Sequence, residues 1–115
     1  MINEQTTRDW IPLADGVRRR TIAVGDKMMQ VAVWLRKGAK LPEHAHMHEQ
    51  LATVVSGKLR FVIAGKAQEL SAGQSVALKS NTPHGVEALE ETWVIDTFTP
   101  LREDMLKADA EHSKK

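Results

Sequence analysis

Apolar and polar residues alternate along most of this chain, in short blocks closed by glycine. Met29, Val31, Val33 and Leu35 share one parity, and Gln30, Ala32, Trp34 and Arg36 share the other. A period of two marks a β-strand. Apolar residues on both parities predict a strand covered on two sides. Leu59, Phe61 and Ile63 alternate with Lys58, Arg60 and Val62 in the same way. Residues 50–55 are largely apolar and β-branched, and Ser56-Gly57 ends them. Further strands are predicted over 17–24, 68–70, 75–78, 86–89 and 92–98. Turns fall at Gly25-Asp26, at 37–40, at 64–66, at 71–73 and at Glu90-Glu91, and 80–83 is a loop. Residues 1–16 are polar, with Trp10, Ile11 and Leu13 as candidate anchors. After Pro100 the period changes. Leu101, Met105 and Leu106 are spaced for one helix face, and residues 103–110 are mostly good helix formers. The end, with His112, Lys114 and Lys115, is expected to fray.

Turns this frequent leave no room for long helices. Short strands at this spacing predict an all-β sandwich or barrel, of which a double-sheet jelly roll is one form. The length of 115 residues suits one domain. Its parts are an N-terminal segment and first strand over 1–26, a barrel over 27–100, and a short C-terminal helix with a frayed tail over 101–115.

Charge adds little. The net charge is +1, which gives no general argument for nucleic acid or an anionic membrane. Arg18-Arg19-Arg20 is the only basic run, and it is expected on the exposed face of a strand. There is no cysteine, which excludes disulfides, cysteine nucleophiles and thiolate ligands. There is no tyrosine either. Met1 to Gln5 is polar and lacks the apolar core of a signal peptide, and no apolar run approaches membrane length. A soluble cytoplasmic protein is the expectation.

Histidine changes the picture. His44, His46 and His48 fall within five residues, and His84 follows Pro83 far along the chain. Imidazole is the commonest protein ligand for a divalent metal at neutral pH. A His-x-His pair on an extended segment points both rings to one side, and Gln50 continues that parity. The predicted metal site is His44, His46, Gln50 and His84. With only nitrogen and oxygen ligands, the ion is one divalent metal: Zn, Ni, Fe, Co or Mn. Three imidazoles and an amide leave its charge uncompensated, which favours an anionic ligand. His48 shares the same parity. A bend beside the site would swing it to the rim, where it contacts substrate or supports a ligand. Glu43 is a candidate to support a ligand histidine. Later, Asp96 and Phe98 share a strand face and Arg102 follows the proline turn. A carboxylate can move protons and an arginine can take a carboxylate with two hydrogen bonds, so the trio suits a small acidic sugar.

These residues carry a family resemblance. Gly38, His44, His46, Gln50 and Gly57 keep the spacing of the first cupin motif, with Gln50 where most members have glutamate. Gly73 and His84 keep the second, with Lys79 and Asn81 in place of its proline and glycine. The chain therefore resembles a small single-domain cupin, which implies a jelly-roll barrel and a homodimer. The run 44–50, with His84-Gly85-Val86 and Asp96-x-Phe98-x-Pro100-x-Arg102, is similar to the small cupins of pectin and alginate degradation. Those linearise 4,5-unsaturated monouronates to the open keto form. The resemblance implies metal ligation by His44, His46, Gln50 and His84. It implies catalytic roles for Asp96 and Arg102 and substrate contacts for Phe98 and His48. No organic cofactor, nucleic acid or membrane partner is implied. Three other readings stay open: a metal-dependent oxygenase, a non-enzymatic sugar- or small-molecule-binding module, and a structural metalloprotein with His48 as a fifth ligand.

Overall fold

Short alternating segments pair into two antiparallel sheets. The computed structural model describes residues 8–113, so the expectations for Met1 to Gln5 and for Lys114 and Lys115 lie outside the described residues. The first strands are β1 (Ile11–Ala14), β2 (Val17–Val24), β3 (Met29–Leu35), β4 (Lys40–His44) and β5 (Glu49–Ser56). Then come β6 (Lys58–Ile63), β7 (Lys66–Ser71), β8 (Ser75–Leu78), β9 (His84–Ala88) and β10 (Thr92–Thr99), and the helix α1 (Glu103–His112) follows. A six-stranded sheet runs β1-β2-β3-β10-β5-β8, and a four-stranded sheet runs β4-β9-β6-β7. This is the predicted all-β jelly roll with a short C-terminal helix. Among the described residues, no helix is long and apolar enough to cross a membrane.

The alternation explains which face is buried. Met29, Val31, Val33 and Leu35 point into the core with Ala52 and Val54 of β5 and Val94 and Phe98 of β10. Leu59 and Phe61 meet them from the smaller sheet. Two proline-containing strands, β1 and β4, lie at sheet edges, where a missing N–H costs no ladder bond. Gly57 makes the tight β5–β6 connection at φ +92°, with the start of β10 packed against it. There the Thr92 hydroxyl accepts the Lys58 N–H at 3.1 Å and donates to the Glu90 carbonyl at 2.9 Å.

Some expectations need correction. Residues 11–14 form a strand that the polar composition had hidden, and the extended segment around Pro42 begins already at Lys40, where a turn was expected. His112 closes the last turn of α1 instead of lying in a tail. The basic run does not lie wholly on an exposed face. Arg18 faces outward, its guanidinium carbon 5.0 Å from the Trp10 ring centre and 4.7 Å from that of Trp34. Arg19 points inward and is 1% exposed. Its charge is matched by Asp109 of α1 at 3.0 Å. Strand alternation forces this inward direction, and the partner arrives only late in the chain.

Candidate metal centre

Both sheets and one loop bring the site together. His44 ends β4 and His84 begins β9, and the two are direct cross-strand partners. A register irregularity between Leu41 and His44 precedes them, of the kind that re-aims side chains beside active sites. Gln50 lies on β5 opposite Phe98 of β10. His46 and His48 sit between β4 and β5 in residues 45–48, where the extended segment breaks. That loop is braced from 80–81. The Asn81 N–H donates to the His46 carbonyl at 2.7 Å, and the Ser80 hydroxyl donates to the Met47 carbonyl at 2.6 Å. Asn81 holds φ +62°. The glycine of the second cupin motif has no side-chain penalty there, and asparagine is the residue that tolerates this conformation next best.

The imidazoles are prepared as ligands. His44 Nδ1 lies 3.1 Å from the Pro42 carbonyl, His46 Nδ1 3.0 Å from the His48 carbonyl, and His84 Nδ1 2.8 Å from the Thr82 carbonyl. A carbonyl only accepts, so each Nδ1 carries the proton and each Nε2 keeps its lone pair in the neutral ring. Ligand-type nitrogens of the three lie within 4.8 Å of one another. Such main-chain bonds fix tautomer and ring direction at metal sites. This support comes from carbonyls; Glu43, the candidate for it, is exposed. Burial lowers the His46 pKa to about 4, with further lowering from the Arg102 and His84 charges. Burial also lowers the pKa of His84. A neutral His46 has no proton on Nε2, yet that atom stands 3.1 Å from Gln50 Oε1. Two lone pairs face each other, and a cation between them satisfies both. The donor set therefore fits a divalent ion: His44, His46 and His84 could hold one, with the Gln50 amide oxygen beside them.

Chemistry continues into a cavity of about 190 Å³ lined by His44, Gln50, His84, Asp96, Phe98 and Arg102 among apolar residues. Gln50 hydrogen-bonds Asp96, and desolvation raises the Asp96 pKa to about 7. Phe98 is buried, and its ring lies 5.8 Å from that of His46 and 4.8 Å from the Arg102 guanidinium carbon. Arg102 also bonds Asp104 through Nε at 3.0 Å and Nη2 at 2.9 Å. Those bonds hold the Asp104 pKa down at about 2. His48 is not among the cavity-lining residues. Its Nε2 donates to the Leu101 carbonyl at 3.1 Å, and its buried Nδ1 has no partner among the described residues. The sequence does not mark the apolar part of this lining, Leu13 and Met105 of the terminal segments among it. Neither carries a chemical signal, since both are ordinary apolar residues.

Comparison with known proteins agrees with this geometry. Residues 31–95 match the cupin domain family. The chain is 41% identical over 99 residues to the pectin degradation protein KdgF of Dickeya dadantii (strain 3937), covering 84% of this chain and 90% of that protein. The solved structure of KdgF from Halomonas sp. superposes with a TM-score of 0.81 at 35% identity, covering 90% of this chain and 94% of that one. An RmlC-like cupin from Shewanella frigidimarina NCIMB 400 also gives 0.81, at 31% identity, with 91% and 93% covered. With its jelly roll, its histidine cluster and relatives alike over nearly the whole chain, this protein belongs to the cupin family.

Proposed function

We propose that this cupin is a metal-dependent, non-redox isomerase that opens a 4,5-unsaturated monouronate and tautomerises it to the linear keto form. One observation carries the reading: Asp96 and Arg102 line the same small cavity as His44, Gln50 and His84. A proton-transfer group and a carboxylate-binding group thus share one space with the ligand set. The pectin-degrading relative supports an unsaturated uronate as the substrate class.

Each residue has a task. His44, His46, Gln50 and His84 hold one divalent ion, which supplies Lewis acidity toward the substrate's oxygens. Arg102 binds the uronate carboxylate, with its guanidinium carbon over the Phe98 ring. Asp96 takes the proton of the C1 hydroxyl as the bond from C1 to the ring oxygen breaks. The ring oxygen receives a proton and becomes an enol. Loss of that enol proton and protonation at C4 give the ketone. Atoms balance, and no electrons leave the substrate. Gln50 joins the two functions, because one end of its amide faces His46 and the amide also bonds Asp96. The chain acts on a small acidic sugar and works as a cytoplasmic homodimer.

Proton NMR tests the reading. Metal-loaded protein added to 4,5-unsaturated galacturonate should hasten loss of both the vinyl and the anomeric signals. Spectra that change no faster than a protein-free sample would argue for a binding module instead.

A further inference from the structure

The helix that ends the fold bears on the cavity through its first turn. Arg102 is the N-cap of α1, and both Arg102 and Met105 line the cavity wall. Something must fix how this helix sits, because Arg102 moves with it. Apolar burial alone does so poorly. Leu101, Met105 and Leu106 are only partly buried against the core, and the one fully buried residue of α1 is charged: Asp109.

Asp109 is held from β2. One carboxylate oxygen accepts Arg19 Nη1 at 3.0 Å, and the other accepts the Thr21 hydroxyl at 2.6 Å. Arg19 Nη1 also reaches Thr21 Oγ1 at 3.3 Å, and Arg19 Nη2 donates to the Met105 carbonyl at 3.2 Å. One guanidinium therefore grips α1 at two positions a turn apart, 105 and 109. Its backbone is itself fixed in the sheet, since Arg19 pairs with Val33 of β3, which lines the cavity. The segment before the helix is gripped from the other side, by His48 on the Leu101 carbonyl and by Met29 Sδ accepting the Arg102 N–H at 3.1 Å.

A buried ion pair is a costly way to gain stability, because desolvation offsets most of the attraction. Apolar residues of similar volume would pack the same space and let the helix slide or turn. Directed bonds do not permit that. We propose that Arg19 and Asp109 are positioning residues: the pair sets the register of α1 on β2 and so places the Arg102 guanidinium at the cavity for an acidic substrate. The substrate half of this statement rests on the proposed uronate chemistry; the clamp itself does not.

The test replaces the pair by apolar residues of similar bulk, Arg19→Met with Asp109→Leu, with the near-isosteric Asp109→Asn alongside in case the double variant fails to fold. Two readouts are taken on metal-loaded protein. Hydrogen exchange of the α1 amides, against sheet amides as an internal control, should quicken at least tenfold. KM for the unsaturated uronate should rise roughly tenfold while kcat stays within about threefold, because a displacement well under the ~1 Å that costs about a hundredfold weakens binding of the carboxylate alone. Unchanged α1 exchange overturns the clamp. Quickened exchange with unchanged KM overturns its link to Arg102, and so does a fall in kcat alone. If the wild-type protein turns over no uronate, the uronate reading fails by itself, and the exchange result still decides the clamp.

Discussion

His44 and His84 stand directly opposite each other on β4 and β9, with ring centres 4.4 Å apart. Two imidazoles held this close, each with Nδ1 already bonded to a carbonyl, have their remaining nitrogens free for one shared ion. Removing one should open the site. His84→Ala is expected to weaken metal binding by roughly 100-fold or more, beyond the range seen for loss of supporting bonds. Metal analysis of dialysed protein checks this. Full stoichiometry in the variant would take His84 out of the ligand set.

An ion bound to the native state stabilises it by mass action. At free metal a hundred times its dissociation constant the gain is about 2.7 kcal/mol, which corresponds to roughly 10 °C in Tm for a domain of this size. Chelation should lower the melting temperature by about that amount, and added metal should restore it. A melting curve indifferent to confirmed metal removal would count against a tight site.

Asp109→Ala should be far more damaging than its place near the C-terminus suggests. It strands the Arg19 guanidinium, 2% exposed at the side chain, without its partner. Breaking one side of such a pair costs about 3–5 kcal/mol. Urea unfolding measures the loss. A cost under about 1 kcal/mol would mean that solvent reaches Arg19.

Gly57→Ala should destabilise through the backbone. The residue holds φ +92°, and an added Cβ would meet the Glu91 carbonyl, the Thr92 Oγ1 at 2.5 Å and the Thr92 Cα at 2.8 Å. The backbone conformation alone costs about 1–3 kcal/mol, and the contacts add to it. Thermal unfolding without added metal isolates this effect from the site. A variant as stable as the parent would show that the β5–β6 turn moves freely away from β10.

Asp104 gives a pH signature. Its hydrogen bonds to Arg102 hold its pKa at about 2 in the fold, below the ordinary value of about 3.9. A depressed carboxylate stabilises the fold fully above the unfolded value. Its contribution falls away as pH drops from about 4 through about 2. An NMR titration of the Asp104 carboxyl should show the low midpoint, and Arg102→Ala should return it toward 3.9. An ordinary midpoint in the parent protein would mean that the Arg102–Asp104 pair does not persist in solution.

Much of this was legible in sequence because it was local. Alternation at Met29, Val31, Val33 and Leu35 reports a strand directly, and the spacing of His44, His46, Gln50 and Gly57 reports a motif. What stayed hidden depends on partners distant in the chain. Arg19 looks like part of a basic surface until Asp109, 90 residues later, is packed against it. The bend expected beside His48 lies at 45–48, but the bonds from Ser80 and Asn81 that brace it come from far along the chain. His48 shares the parity of His46 and Gln50, yet the same bend turns its ring toward the Leu101 carbonyl.

The most direct measurement follows the ultraviolet absorbance of freshly made 4,5-unsaturated monouronate mixed with three proteins: metal-loaded parent, chelated parent and metal-loaded Asp96→Asn. Linearisation removes the conjugated alkene and its absorbance. Accelerated loss is expected with the first protein only, with Asp96→Asn retaining its metal and falling by roughly 100-fold or more, as for a lost general acid–base group. Equal rates in all three, matching the protein-free control, would contradict the isomerase account.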